Sequence, residues 1–240
     1  MMLVLSMGAR VCLGLAFVIG TLLLVTAGTM PEAMGNYLAQ LPLNLRVMQI
    51  DQTYMWERHA TFAAFWRLLF QGRGPGETRA IVSLLTTASV SLVVFALGSA
   101  WWRTRKPGLD DVWTGETRSL ARDRLIGATI TAMPLMMPFY FDYDLMLLAV
   151  PAVLLAGEIL AMQPGAQLDR MQRLLVGSWC ALYLWLIVNP PVASASCVNV
   201  TVVLLSTVCA LSITRATSVG IRTSRLISRD IHRVTVKRAA

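Results

Sequence analysis

Apolar residues along this chain form long continuous runs, and polar residues collect in the segments between them. Six runs are long enough to cross a hydrocarbon core of about 30 Å, which takes about 20 helical residues. They cover residues 8–28, 80–102, 125–141, 145–161, 174–190 and 195–213. The pattern predicts an all-α polytopic membrane protein with about six transmembrane helices.

Composition and charge agree with this fold class. Of the 240 residues, 56% are hydrophobic and 14% are charged, whereas about a quarter of the residues of a soluble domain are charged. The net charge of +8 raises the question of nucleic acid. However, the basic residues lie beside the apolar runs, as expected for cytoplasmic loops near anionic headgroups. We therefore predict a lipid bilayer as partner and no nucleic acid.

The basic segments also predict an orientation. Residues 103–124, 162–173 and the tail 214–240 are rich in arginine and lysine and alternate with segments that are not. If the basic segments are cytoplasmic, both termini are cytoplasmic. The outer connections are then the loop 29–79, the short turn "FDYD" and "NPPVAS" at 189–194.

The outer loop contains an amphipathic pattern from residue 51 to the glycine-rich stretch "GRGPG" at 72–76. At helical spacing its residues divide into an apolar face and an opposite face. The apolar face has Met55, His59, Phe62, Trp66 and Leu69, and the opposite face has Glu57, Thr61, Ala64 and Arg67. This pattern predicts an interfacial helix on the outer leaflet. Nearby arginines either bind a phosphate at headgroup level or extend to lipid phosphates, and His59 is either a packed side chain or a catalytic one.

The stretch "MPFYFDYDLMLLAVP" at 137–151 places two carboxylates among aromatic rings. Asp142 and Asp144 fall between the third and fourth predicted spans, where Phe141 and Tyr143 suit an interfacial belt. One interpretation is a solvated turn with Asp144 as N-cap of the next helix. The other is a functional pair, because short turns more often use Gly, Ser or Asn.

The four cysteines give no metal site. Cys12, Cys180, Cys197 and Cys209 lie in apolar segments without a CxxC pair or a histidine cluster, so we interpret them as small hydrophobic residues. No cofactor is evident, and participation of a divalent metal stays open.

Two stretches, "WERHATFAAFWRLL" and "MPLMMPFYFDYDLMLLAVPAVLLAGE", resemble the C-terminal portion of glycosyltransferase family 87. These polytopic bacterial enzymes belong to the GT-C superfamily and are similar to polyprenyl-phosphate-mannose-dependent α-mannosyltransferases. The resemblance covers about residues 35–160 and includes an aromatic–Asp–Tyr–Asp–Leu turn after a proline-containing span. It implies hexosyl or mannosyl transfer from a polyprenyl-phosphate sugar to a glycan or glycolipid at the outer face of the bacterial cytoplasmic membrane.

In this interpretation Asp142 and Asp144 are the candidate catalytic residues, and substrate binding involves Glu57, Arg58, His59, Arg67 and Tyr143. Enzymes of that superfamily usually carry a catalytic acid in the first outer loop, near the start of a longer chain. We therefore expect little transferase activity from this chain alone and an N-terminal partner polypeptide. The alternatives are a small transporter and a non-catalytic membrane scaffold subunit.

Overall fold

The computed structural model describes residues 9–104, 115–162 and 167–218, and for residues 9–12 and 115–118 it describes the backbone alone. The described chain is helical and contains no strand. Its α-helices are α1 Ala9–Thr29, α2 Pro31–Arg46, α3 Phe62–Gln71, α4 Ala80–Thr104, α5 Gly115–Met136, α6 Ala149–Leu160, α7 Arg170–Ser196 and α8 Val200–Ser218. Shorter turns are a π-helical Val47–Asp51 and two 3-10 segments, Trp56–Arg58 and Asp142–Leu148.

Four helical segments are long and apolar enough to cross a membrane: Ala80–Thr104, Asp142–Leu160, Arg170–Ser196 and Val200–Ser218. They coincide with the predicted spans 80–102, 145–161, 174–190 and 195–213. A fifth arises if α1 and the following helix, bent by 110° at Met30, count as one broken span. The all-α prediction is confirmed, and these helices are compatible with a membrane-embedded protein.

The predicted span 125–141 is not among these four or five helices. The helix α5 that contains its first part ends at Met136, and residues 137–141 leave the helical path. Arg122, Asp123 and Arg124 lie within α5, so the described helix is less apolar than the predicted run. Six spans therefore remain a prediction.

Two helix ends differ from the prediction. The helix α7 continues through Pro190 and Pro191 to Ser196, so "NPPVAS" is not the connection between the last two spans. Each proline removes one backbone donor, so the carbonyls of Leu186 and Ile187 lose their usual helical partners, yet the helix continues past them. The turn falls at 197–199, where Cys197 adopts a left-handed conformation with φ 58°. The helix α8 extends to Ser218, past the predicted boundary at 213, and residues 219–240 of the predicted tail lie outside the described residues.

The predicted interfacial helix is also shorter than expected. Helix α3 begins at Phe62, after Thr61 accepts a capping hydrogen bond from the Ala64 amide. On the predicted apolar side Met55 and Leu69 are exposed, but His59 is fully buried. The opposite face turns into the protein, where Glu57, Thr61, Ala64 and Arg67 are all buried.

The core lies between α5, α6, α7 and α8. Its fully buried side chains include Ala128, Leu148, Leu182 and Leu205. Helices α5 and α6 are close at Gly127, where a Cβ atom would lie in ordinary van der Waals contact with Pro151 Cβ, at 3.5 Å. Helix α2 has no buried residue, and most side chains described on α1 are exposed.

Candidate functional site

The two stretches singled out in the sequence meet at one end of the helices. His59 and Phe141 form an isolated antiparallel bridge. The Ala60 amide donates to the Tyr140 carbonyl at 2.8 Å, and the Tyr140 amide donates to His59 Nδ1 at 3.3 Å. The segment before α3 is thereby joined to the segment that follows α5.

Two asparagines from α7 and the turn after it hold the same segment from the other side. Asn199 Nδ2 donates to the His59 carbonyl at 2.9 Å and to the Glu57 carbonyl at 3.3 Å. Asn189 Nδ2 also donates to the Glu57 carbonyl, and the side-chain oxygen Asn189 Oδ1 accepts from the Thr201 amide at 3.3 Å. These amides supply donors to backbone carbonyls outside the α-helices, so Trp56, Glu57 and residues 59–61 can be buried although this segment is not α-helical.

Two ion pairs involve residues of the segment that these asparagines hold. Arg58 donates from Nε and Nη2 to the two carboxylate oxygens of Asp142, at 3.3 and 3.1 Å. This paired hydrogen bond raises the pKa of the Arg58 guanidinium. Arg73 donates from Nη2 to Glu57 Oε1 at 2.9 Å and from Nη1 to Ser194 Oγ at 2.9 Å. We call Glu57, Arg58, Arg73 and Asp142 the Asp142 cluster.

Several buried polar atoms next to these pairs have no hydrogen-bond partner among the described residues. They are Glu57 Oε2, His59 Nε2, Asn199 Oδ1 and Thr201 Oγ1. Burial lowers the pKa of His59 to about 4, so its imidazole is neutral at pH 7. A group of unsatisfied buried polar atoms is costly for the fold and is typical of functional sites.

Arg67 lies in the same region but has a different set of partners. Its guanidinium donates to the Gly76 carbonyl at 2.7 Å, to Thr78 Oγ1 at 3.0 Å and to the Gln49 carbonyl, with Trp56 stacked against it. Burial lowers its pKa. Arg67 therefore fastens the glycine-rich loop to the protein. Its Nε has no hydrogen-bond partner among the described residues, but the side chain is buried, so these contacts do not support the phosphate-binding role predicted for it.

Asp144 occupies a capping position that differs from the predicted one. The N-cap of the 3-10 segment is Phe141, and Asp144 Oδ2 accepts from the Phe141 amide at 3.3 Å. Asp144 thus caps the helix from its third position, and the prediction that it is the N-cap residue was wrong. Tyr143 is exposed, stacks on Phe141 at 5.0 Å between centroids and lies 5.9 Å from the Arg58 guanidinium carbon.

Of the residues predicted for the site, Glu57, Arg58, His59, Asp142 and Tyr143 come together, whereas Arg67 and Asp144 make mainly supporting contacts. The sequence interpretation missed Asn189, Asn199 and Ser194. The sequence did contain a signal for the two asparagines, because each lies at the end of an otherwise apolar run. A side-chain amide buried there needs hydrogen-bond partners.

A second cluster, also missed, lies at the opposite end of the same helices. Glu158 of α6 accepts from two arginines: Arg124 of α5 binds both of its carboxylate oxygens, and Arg215 of α8 donates to Oε1 at 2.7 Å. We call these three residues the Glu158 triad. The sequence feature that could have revealed the triad was the lone glutamate inside a predicted span. A charged residue in hydrocarbon has a high free-energy cost and therefore needs a partner.

The described residues contain no group of three His, Cys, Asp or Glu side chains that could hold a metal ion. Three of the four cysteines predicted to be small buried hydrophobic residues have described side chains: Cys180 is exposed, Cys197 is partly exposed and Cys209 is buried, so of these three Cys209 meets the prediction. The side chain of Cys12 lies outside the described part of the structure. No protein-family model, no curated protein and no solved structure matches the chain.

Proposed function

We propose that this protein takes part in hexosyl transfer, with mannose as the first candidate sugar, from a polyprenyl-phosphate donor at the outer face of the bacterial cytoplasmic membrane. The observation that carries the proposal is the Asp142 cluster. It presents two arginine–carboxylate pairs and an unpartnered Glu57 oxygen at one end of a bundle of apolar helices.

The arginines suit a phosphate that develops charge. When the bond between the sugar C1 atom and the phosphate oxygen breaks, negative charge accumulates on the departing lipid phosphate. Arg58 and Arg73 are both partly exposed, and hydrogen bonds to their ion-pair partners leave further N–H groups facing outward. Fixed guanidinium donors of this kind stabilise such a leaving group.

The carboxylates suit the acceptor side of the same reaction. The acceptor hydroxyl gives its proton to a carboxylate while its oxygen forms the new bond to C1. Both oxygens of Asp142 already accept hydrogen bonds, so we assign Asp142 to sugar hydroxyls. Glu57 Oε2 is buried and accepts no hydrogen bond among the described residues, so we assign it the proton in a complex in which the acceptor hydroxyl reaches into the cluster. Tyr143 offers an exposed ring against which the apolar face of a sugar can pack.

An apolar groove next to the cluster suits the hydrocarbon chain of the donor. It has a volume of about 470 Å³ and lies between α3 and α8, with Phe62, Phe65 and Trp66 on one side and Val202, Val203 and Ala210 among the residues on the other. The groove begins at Phe62, the first residue of α3, shortly after Arg58 in the sequence. A hydrocarbon chain lying in the groove would therefore have its phosphate end near Arg58.

Binding of the donor tests the proposal without requiring a partner polypeptide for catalysis. The purified 240-residue protein in nanodiscs of neutral lipid is titrated with polyprenyl-phosphate mannose, polyprenyl phosphate and unphosphorylated polyprenol. We expect both phosphate lipids to bind at least about tenfold more tightly than polyprenol, because charge-assisted hydrogen bonds are lost without the phosphate. Equal binding of polyprenol would refute the proposal.

The matched variants are Arg58→Gln and Arg46→Gln. Arg46 is an exposed arginine at the end of α2, outside the Asp142 cluster. We expect Arg58→Gln to weaken donor binding and Arg46→Gln to leave it unchanged. Equal effects would indicate that the arginines only attract phosphate lipids nonspecifically, as in a membrane scaffold.

The orientation forms a separate part of the proposal, in which both termini are cytoplasmic and the Asp142 cluster faces outward. A reporter enzyme that is active only outside the cytoplasmic membrane should be active when inserted within residues 72–76 and silent when fused after residue 240. The reverse pattern would place the cluster on the cytoplasmic side.

A further inference from the structure

The Glu158 triad borders a cavity with a volume of about 710 Å³. Its charged end is formed by Arg124, Glu158 and Arg215, and the rest of its wall is mostly apolar, with Leu154, Leu155 and Trp179 among the residues that line it. Cavities of this volume commonly hold small-molecule ligands. The combination of a charged end and a long apolar wall fits an amphipathic ligand.

The charges at this end favour an anion. Two guanidiniums share one carboxylate, so the triad carries an excess positive charge. Asp123 also borders the cavity, but Arg122 pairs with it at 3.3 Å. The other charged groups at this end include Asp169, whose negative charge acts on Arg215. They also include Arg103 in the last turn of α4 and Arg170 and Arg173 in the first turn of α7, so positive charge stays in excess. An anionic headgroup would therefore meet favourable charge on several sides.

The triad lies far from the Asp142 cluster along the helices. On α5 and α8 the two ends are separated by about 18–24 Å of helix, taking 1.5 Å per residue from Arg124 to Met136 and from Asn199 to Arg215. If the Asp142 cluster faces outward, the triad lies in the inner half of the membrane, and its arginine side chains can extend toward the inner headgroups. The cavity is also open beside exposed apolar residues such as Val153 and Leu160 of α6.

We infer that the cavity beside the Glu158 triad binds one anionic phospholipid, with its phosphate near Arg124 and Arg215 and an acyl chain between α5, α6 and α7. This inference requires that the helices are embedded in a membrane, and it is independent of the proposed glycosyl transfer. Its failure would leave donor binding at the Asp142 cluster untouched, and loss of donor binding would leave this site untouched.

The experiment uses the full chain in a nonionic detergent and measures its thermal unfolding midpoint while phosphatidylglycerol, phosphatidylcholine or inorganic phosphate is added. A ligand that binds only the folded protein raises the midpoint with its concentration. We expect phosphatidylglycerol to give a clear rise and phosphatidylcholine and inorganic phosphate to give little. Equal rises with the two phospholipids, or a full effect of inorganic phosphate, would overturn the inference.

Two glycine variants separate occupation of the cavity from the stability of the triad. Gly157 lines the cavity, and a Cβ atom at this position would meet nothing within 4 Å, so Gly157→Leu should fill part of the space without a backbone clash. Gly177 is an exposed glycine of α7 with the same open surroundings, and it does not line the cavity. Both substitutions replace a helical glycine by a better helix former.

We expect Gly157→Leu to lose the rise caused by phosphatidylglycerol and Gly177→Leu to keep it. Native mass spectrometry of the two variants should likewise find the anionic lipid retained only by Gly177→Leu. An unchanged lipid response in Gly157→Leu would mean that the triad merely joins α5, α6 and α8. Arg215→Met provides a second readout: in a lipid site it removes the difference between the two phospholipids, whereas a purely structural arginine lowers the midpoint equally in both.

Discussion

The Asp142 cluster and the Glu158 triad use the same side chains in different surroundings. In the cluster each carboxylate has one arginine, and the arginine side chains are 41% and 45% exposed. In the triad two arginines share one carboxylate, and their side chains are 17% and 7% exposed. An exposed pair contributes little to stability and leaves its donors available to a ligand, whereas a buried one is costly to break.

The difference also extends to the backbone around each site. The triad joins three regular helices close to the ends of α6 and α8, and Arg124 also donates to the Arg215 carbonyl at 3.5 Å. The cluster rests on irregular residues 52–61, which depend on Asn189 and Asn199 for donors. We expect mutation of the triad to lower stability strongly, in addition to its effect on lipid binding, and mutation of the cluster to act mainly on donor binding.

The largest expected effect is on the triad. Glu158→Gln leaves two largely buried guanidiniums without a counter-charge, so we expect the free energy of unfolding to fall by about 3–5 kcal/mol. Chemical denaturation in a fixed detergent would measure it. The control is Asp123→Asn, which breaks the exposed pair with Arg122 and should cost about 1 kcal/mol or less. Similar losses in both variants would remove the distinction between the two ends of the molecule.

For the cluster, Asp142→Asn should leave folding nearly unchanged and weaken binding of the polyprenyl-phosphate sugar. The expected loss is about 1.5–3 kcal/mol, because a hydrogen bond to a charged group is replaced by a neutral one. That loss corresponds to about 10- to 100-fold in the dissociation constant. Normal donor binding by the variant would show that the Arg58–Asp142 ion pair only stabilises the turn and has no role in binding the donor.

The buried His59 next to the Asp142 cluster gives this end of the protein a pH dependence. His59 titrates near pH 4 when folded and at about 6.5 when unfolded, so the unfolded state takes up protons first as the pH falls. Stability from this group is full above about pH 6.5 and is lost progressively toward pH 4. His59→Gln should be less sensitive than the natural protein over that interval in unfolding experiments. Identical pH profiles would show that the imidazole is not held neutral by burial.

The smallest effect is expected at Asp144. Asparagine keeps an oxygen that can accept from the Phe141 amide, so Asp144→Asn should change stability by only a few tenths of a kcal/mol. Donor binding should also stay normal, which makes this variant the neighbouring control for Asp142→Asn. A large loss of binding would move Asp144 from a capping role to a direct one.

The apolar helices could be predicted because each must satisfy its own backbone within a long hydrophobic run. Their ends could not be predicted equally well. Pro190 and Pro191 indicated a break, yet α7 continues past them. The length of α3 depends on residues 52–61, whose irregular path is fixed by asparagines more than 130 positions later, and no local pattern contains that information.

Contacts between distant parts of the chain also limited what could be predicted about the two sites. Arg58 and Asp142 could each be singled out from charge and aromatic neighbours, but their mutual contact spans 84 positions and required the folded structure. The triad was overlooked because Arg124 and Arg215 were interpreted as topology signals, and a charge used for orientation can equally be a buried partner. Glu158, inside an apolar run, was the residue that could have revealed it.

Residues 52–61 depend on hydrogen bonds from Asn189 and Asn199, and this dependence sets the order in which parts of the protein can fold during synthesis. At a synthesis rate of about 5–20 residues per second, the asparagines emerge on the order of 10 s after the segment that they hold. During that interval the carbonyls of Glu57 and His59 lack their final donors, and the irregular segment cannot adopt its buried position. Assembly of this end of the protein therefore waits for the last two helices, and a chain interrupted after α6 should present residues 52–61 to a protease that spares the finished protein.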